Sequence, residues 1–237
     1  MTLLTLTPFQ EILSKWTKQS AIPINIPLFD ELLGGILPFS LHVVIGESGV
    51  GKTWFCLKVI LEILNLHPNA EVLYTVFGGN FRINNLKRLL PNSTQLEQII
   101  IFQPKTLLEQ IIFFQNLHEN TRCNYDLIIV DSVFGSPLTA IEYFHEKKKF
   151  WQKRIFSHLF TLHRIANKFK IPILLSNHLV SVKENFESNS SVNQYGGYIL
   201  EQFVPIEFII QKTEHRYFLE VRIFQKRVGC YDFDLIP

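Results

Sequence analysis

The octapeptide GESGVGKT, Gly46–Thr53, constrains this chain more than any other stretch of it. It fits G-x-x-x-x-G-K-[ST], follows the strand-length apolar run Leu41–Ile45, and leads into a helical stretch that begins near Lys52. Glycines there let the backbone curl until successive N–H groups point inward, and the following helix adds its positive N-terminal end. A loop built in this way receives phosphates. The residues expected to do so are Gly46, Glu47, Ser48, Gly49, Val50, Gly51, Lys52 and Thr53. In that arrangement Lys52 bridges the β- and γ-phosphate oxygens and Thr53 ligates Mg²⁺ through its hydroxyl, which makes ATP and Mg²⁺ the expected cofactors.

Strand, turn and helix recur along the chain. EVLYTVF precedes a helical NNLKRLL, QIIIFQ precedes TLLEQIIFFQNLHEN, and YDLIIVDSV precedes a long helical region to about Phe169, after which comes IPILLS. Near-continuous apolar strands separated by amphipathic helices predict a mainly parallel sheet covered on both faces. VPIEFIIQK, RYFLEVRIFQK and CYDFDLI then follow closely and predict antiparallel strands that extend the sheet. The expected fold class is therefore α/β, a central sheet flanked by helices with antiparallel strands at its C-terminal side. Asp131, at the carboxyl end of LIIVDS, is the acid placed to hold the magnesium's water shell; the plain alternative is a strand-terminal cap.

Composition narrows the function classes. The 237 residues carry 23 Lys+Arg and 21 Asp+Glu, a net +2, which excludes a strongly basic nucleic-acid carrier but leaves room for a local basic patch. With 47% hydrophobic and 19% charged residues the chain is a packed globule and not a disordered one. Its apolar runs fall far short of the ~20 residues a membrane helix needs, so no membrane partner is expected. The start MTLLTLTPFQ lacks a basic n-region and a small-residue cleavage site, and a cytoplasmic protein is expected. Cys56, Cys123 and Cys230 are far apart without a CxxC, and read as small hydrophobes instead of zinc ligands. Residues 1–20 form an expected helical segment of their own, with Phe9, Ile12, Leu13 and Trp16 on one stripe; residues 21–237 form the core. Prolines in AIPINIPLF break that helix, and DELLGG is a short helical turn stopped by Gly34-Gly35.

LFDELLGG before the first strand, GESGVGKT with its Glu47, NFR at 80–82, IIVDSV at 128–133, LLSNH at 174–178 and Gly196-Gly197 occur in a fixed order across residues ~28–210. In that series the sequence resembles the RecA/RadA recombinase superfamily, and within it the short archaeal-type paralogues that lack a helix-hairpin-helix domain. The resemblance implies a RecA-like P-loop ATPase core, with Trp54 standing where the family usually has Gln and Arg82 as an adenine-side contact. A surface arginine at a helix start is the alternative for Arg82. It also implies a γ-phosphate sensor at the end of the strand after Asp131, where the family's Asn-Gln is here Asn177-His178. Where full recombinases carry the glutamate that activates water, this chain has Gly78, so the resemblance implies ATP binding with weak, DNA-dependent hydrolysis, assisted by Lys52 and His178.

In the family, DNA is held by the loops that follow the Asp131 and Asn177 strands. The first corresponds to a stretch where Lys147, Lys148, Lys149, Lys153 and Arg154 gather beside Phe150 and Trp151, a mixture suited to single-stranded DNA. Its alternative is a solvated helix start with the aromatics buried. The second, 179–195, contributes only Lys183 and lacks the family's glycines, which makes strand exchange by this chain alone unexpected. Phe9-Gln-Glu-Ile12 stands where filament-forming relatives dock a Phe-x-x-Ala segment on a neighbour, implying a homo-oligomer; packing on its own core is the alternative. The expected role is a DNA-associated accessory factor in homologous recombination and repair, partnering the main RadA-type recombinase or other repair proteins. The competing expectations are a KaiC-like regulatory ATPase or a pseudo-ATPase scaffold acting on proteins, the latter keeping ATP as a structural ligand.

Overall fold

The computed structural model describes residues 21–77, 86–88, 93–135, 148–179, 197–213 and 216–232. The N-terminal segment 1–20 therefore lies outside the described residues, as does most of NNLKRLL. Eight strands form one sheet: β1 (Leu41–Gly46), β2 (Val72–Val76), β3 (Ile99–Phe102), β4 (Leu127–Asp131), β5 (Ile173–His178), β6 (Ile206–Lys212), β7 (Tyr217–Ile223) and β8 (Lys226–Asp232). Their order is β3-β2-β4-β5-β1-β6-β7-β8. All pairings from β3 to β6 are parallel, and β6 to β8 are antiparallel. VPIEFIIQK thus belongs to both regimes, since β6 runs alongside β1 and only then turns back into β7.

Residues 86–88, within NNLKRLL, are helical, and the longer helices among the described residues are α1 (Pro27–Leu33), α2 (Lys52–Leu66), α3 (Ser93–Glu97), α4 (Leu107–Glu119), α5 (Lys148–Phe169) and α6 (Gly197–Glu201). Proline at the first position starts α1 earlier than DELLGG suggests, because its fixed φ suits a helix and its missing N–H is not needed there. Gly34, left-handed at φ 79°, ends it. The parallel strands are buried on both faces, and alternation of side chains divides their residues between two cores. Val44, Tyr74, Ile129 and Leu174 pack towards α1 and α2, whereas Val43, Leu73, Ile128 and Leu175 pack towards α4 and α5. None of these helices is long and apolar enough to cross a membrane.

This topology places β1, β2, β4 and β5 with their carboxyl ends at one edge of the sheet. Open parallel sheets bind ligands in the crevice outside those ends.

Candidate functional site

β1 ends at Gly46, where a Cβ would stand 2.5 Å from Val50 Cγ2 and 2.8 Å from the carbonyl oxygen of Ile210. Only glycine fits so close to β6. The chain then turns back through Gly49 (φ 79°) and Gly51 (φ 103°), left-handed conformations that glycine adopts without steric cost, and α2 begins at Lys52. Glu47, Ser48 and Gly49 form the exposed tip, and Val50 is buried beneath it. Lys52 is itself buried, and its ammonium donates to the carbonyls of Gly46 (3.0 Å) and Glu47 (2.7 Å). An ammonium has three protons, so one remains for an anion above the loop. Burial lowers the Lys52 pKa to about 8, against the opposing pull of the Asp131 carboxylate.

Asp131 ends β4, which lies between β2 and β5, and its side chain shares the α2 face of the sheet with Tyr74 and Ser176. Two of the bonds to the carboxylate follow from that strand order, and the third comes from the first turn of α2. Ser176 Oγ donates to Oδ1 at 2.5 Å, Tyr74 OH donates to Oδ2 at 2.6 Å, and Thr53 Oγ1 donates to Oδ2 at 3.0 Å. A buried carboxylate must be paired or hydrogen-bonded, and here both oxygens are. Ser176 Oγ also accepts from the backbone N–H of Ser132 at 2.7 Å, which helps hold Ser132 in a left-handed conformation (φ 67°) where the chain leaves the strand. The Thr53 hydroxyl and the Asp131 carboxylate, in contact with each other, are an all-oxygen pair of the kind that would suit a hard divalent cation.

Tyr74 and Ser176 did not stand out in the sequence as site residues. Their only signal is polarity inside apolar strands, VLYTV and IPILLS, two residues before Val76 and two before His178.

His178 closes β5 opposite Gly46 in the β1–β5 register and is half-buried. Burial first, and the Lys52 charge second, lower its pKa to about 4, so its imidazole is neutral at pH 7. Its Nδ1 has no hydrogen-bond partner among the described residues, while the Asn177 side chain accepts from the His178 backbone N–H at 2.9 Å. Trp54 follows Thr53 in the first turn of α2 and is half-buried.

The structure brings together Lys52, Thr53, Asp131 and His178 with the Gly46–Gly51 loop. Gly78, Arg82, Lys147 and Lys183 lie outside the described residues, as do the side chains of Lys148 and Lys149. Of the remaining basic cluster, Lys153 is exposed and the Arg154 guanidinium sits 4.6 Å over the Phe150 ring. The two aromatics divide: Phe150 is 52% exposed, whereas Trp151 packs against the α4–α5 core.

A family model described as Rad51 matches residues 22–218. A protein titled DNA repair and recombination protein RadB from Methanococcoides burtonii is 28% identical over 202 residues, 84% of this chain and 86% of that one. Its namesake from Methanosphaera stadtmanae is 24% identical over 206 residues, 85% of each chain. Meiotic recombination protein DMC1 of Saccharomyces cerevisiae is 25% identical over 198 residues, 77% of this chain and 59% of its own length.

Proposed function

Because the chain belongs to the Rad51 family, we propose that it is an ATP-binding recombinase paralogue, a cytoplasmic, DNA-associated accessory factor in homologous recombination and DNA repair. The observation that carries this reading is the set formed by Lys52, Thr53 and Asp131 at the carboxyl edge of the sheet, within a chain matched along most of its length. When bound, MgATP supplies a γ-phosphate whose presence or loss reports a nucleotide state. Around it, the Gly46–Gly51 backbone cradles the phosphates, Lys52 neutralises them, and Thr53 and Asp131 orient the cation. The neutral imidazole of His178 offers one N–H as a sensor.

Gly78 removes the carboxylate that would activate water, so the protein binds ATP far better than it hydrolyses it. Lys147, Lys148, Lys149, Lys153, Arg154 and Lys183 hold single-stranded DNA beside Phe150. With a weak second loop, the chain does not exchange strands alone but assists the main RadA-type recombinase, residues 1–20 serving as a docking segment on the 21–237 core. The test is an ATP-binding titration and steady-state hydrolysis on one preparation, with and without single-stranded DNA, using Lys52→Ala as the control. Tight binding with almost no turnover and an ATP-dependent gain in DNA affinity is expected. Fast, DNA-stimulated turnover refutes the weak motor, and DNA affinity blind to ATP at low salt leaves a regulatory ATPase or scaffold for protein partners.

A further inference from the structure

Helix α5 holds six Lys and Arg residues (148, 149, 153, 154, 164 and 168) and no Asp or Glu in 22 positions. The whole chain is only +2, so removing this helix leaves 17 basic against 21 acidic residues, a net −4. One element therefore reverses the sign of the molecule. At 100° per residue, Phe150, Lys153, Arg154, Phe156, Phe160 and Arg164 fall on one outward arc, while Ile155, Leu159, Leu162 and Ile165 point into the core. The three phenylalanines on that arc are 45–52% exposed, which large apolar side chains seldom are in such a row.

The arc contains a repeat. Arg154 lies over Phe150 at 4.6 Å, and ten residues later Arg164 lies over Phe160 at 5.8 Å. The two aromatic–guanidinium pairs are about 15 Å apart along the axis at 1.5 Å per residue. Phe156 stands between them, braced with Phe160 edge-on against Phe203. The helix ends at Phe169, four residues before β5 starts at Ile173 on the amino edge of the sheet, so its course runs towards the edge opposite the phosphate loop. The second pair thus lies well below the loop region to which the proposed function assigns DNA.

We propose that the outer face of α5 is a track that carries a single nucleic-acid strand away from that loop, with Phe160 and Arg164 as its second station. This deepens, and rests on, the DNA-binding reading above. The occupant follows from charge and periodicity: a polyanion of one sign answers a helix that carries no acid, and bases alternating with phosphates answer an aromatic paired repeatedly with a guanidinium. An acidic protein segment would meet the charge but has no need of the repeat.

The experiment measures binding of oligo-dT of 6 and 18 nucleotides at stated low salt to the full chain, with Phe160→Ala and Arg164→Gln variants. ATP binding and thermal unfolding of each variant serve as folding controls. The wild type binds the 18-mer more tightly than the 6-mer, and Phe160→Ala weakens the 18-mer about 5- to 100-fold, the loss of one base stack. Arg164→Gln lowers the salt slope for the 18-mer by about 0.7, the loss of one phosphate contact. Neither variant changes the 6-mer. Equal binding of both lengths, or variants that bind the 18-mer normally, overturns the track and leaves the loop reading standing. Polyglutamate competing as well as oligo-dT, with no effect of Phe160→Ala, also overturns it, in favour of an acidic protein segment. If the wild type binds neither oligonucleotide, the DNA reading itself fails and takes the track with it.

Discussion

Removing a hydroxyl from Ser176 should destabilise the protein more than removing one from Tyr74, although each deletes a single oxygen. Tyr74→Phe keeps the ring and loses one hydrogen bond to the Asp131 carboxylate, 2.6 Å long and buried. A bond to a charged group is worth about 1.5–3 kcal/mol. Ser176→Ala loses the 2.5 Å bond to the other carboxylate oxygen and also strands the Ser132 N–H, which had Ser176 Oγ at 2.7 Å. A donor left without its partner adds about 1–3 kcal/mol, giving about 2.5–6 kcal/mol in all. For a chain of this size each kcal/mol moves Tm by about 2–4 °C, so the two variants are resolved by urea unfolding and by calorimetry. The double variant should cost less than the sum, because both hydroxyls serve one carboxylate. A Tyr74→Phe cost equal to or above that of Ser176→Ala refutes the reasoning. So does a cost below about 0.5 kcal/mol for both, the range of a surface substitution, since Asp131 would then be solvated by water and not by these hydroxyls.

Two further outcomes follow from buried groups and close backbone approach. Burial holds His42 and His158 at a pKa of about 3, below the unfolded value of 6.5, so both are neutral in the fold and charge only on unfolding. Their contribution is present above pH 6.5 and is lost as pH falls towards 3; between pH 7 and 5 the pair costs about 4 kcal/mol, and His158→Leu should remove about 2 kcal/mol of the pH dependence read in urea titrations. A pH-independent stability from 7 to 5 would contradict it. Gly46→Ala places a methyl 2.8 Å from a backbone oxygen of β6 and should abolish ATP binding or folding, whereas Gly49→Ala, left-handed with open space around it, costs about 1 kcal/mol and keeps ATP binding. Equal ATP affinity in the two variants, measured by titration, would show that the loop does not need the close approach.

What was legible in the sequence was what is local. GESGVGKT needs only its own eight residues and its flanks, and LIIVDS shows an acid at a strand end without knowing which strand lies beside it. Tyr74 and Ser176 are different in kind. They meet Asp131 because β2 and β5 flank β4, an order that departs from chain order and is set by crossovers. Before that order is known, a hydroxyl in VLYTV has no partner to suggest. The direction of β6 was partly hidden for the same reason: its pattern says buried strand, and parallel pairing with β1 is fixed by the sheet, not by the segment.

Net charge misleads here for a related physical reason. A total of +2 averages a helix without a single acid into a remainder that is acidic, and averaging discards position, the one variable a polyanion responds to within a Debye length of about 8–10 Å. The helical period restores it. Lysines and arginines that look scattered in KKFWQKRIFSHLFTLHRIANKF gather once wound: Lys153, Arg154, Arg164 and Lys168 all fall on the outer arc with the phenylalanines, and of these Lys168 is tied to the end of α4, donating to the carbonyls of His118 and Asn120 at 2.7 Å each. The same winding separates Trp151, packed inward, from Phe150, which carries Arg154 on its face. A basic, aromatic stretch is thus neither wholly a solvated helix face nor wholly a binding surface; it is both, on opposite sides of one helix. Residues on the outer side change affinity at less cost to stability than those packed inward, and that separation is measurable: Phe160→Ala should act on the 18-mer with a smaller fall in Tm than Trp151→Ala, which loses its packing against the α4–α5 core.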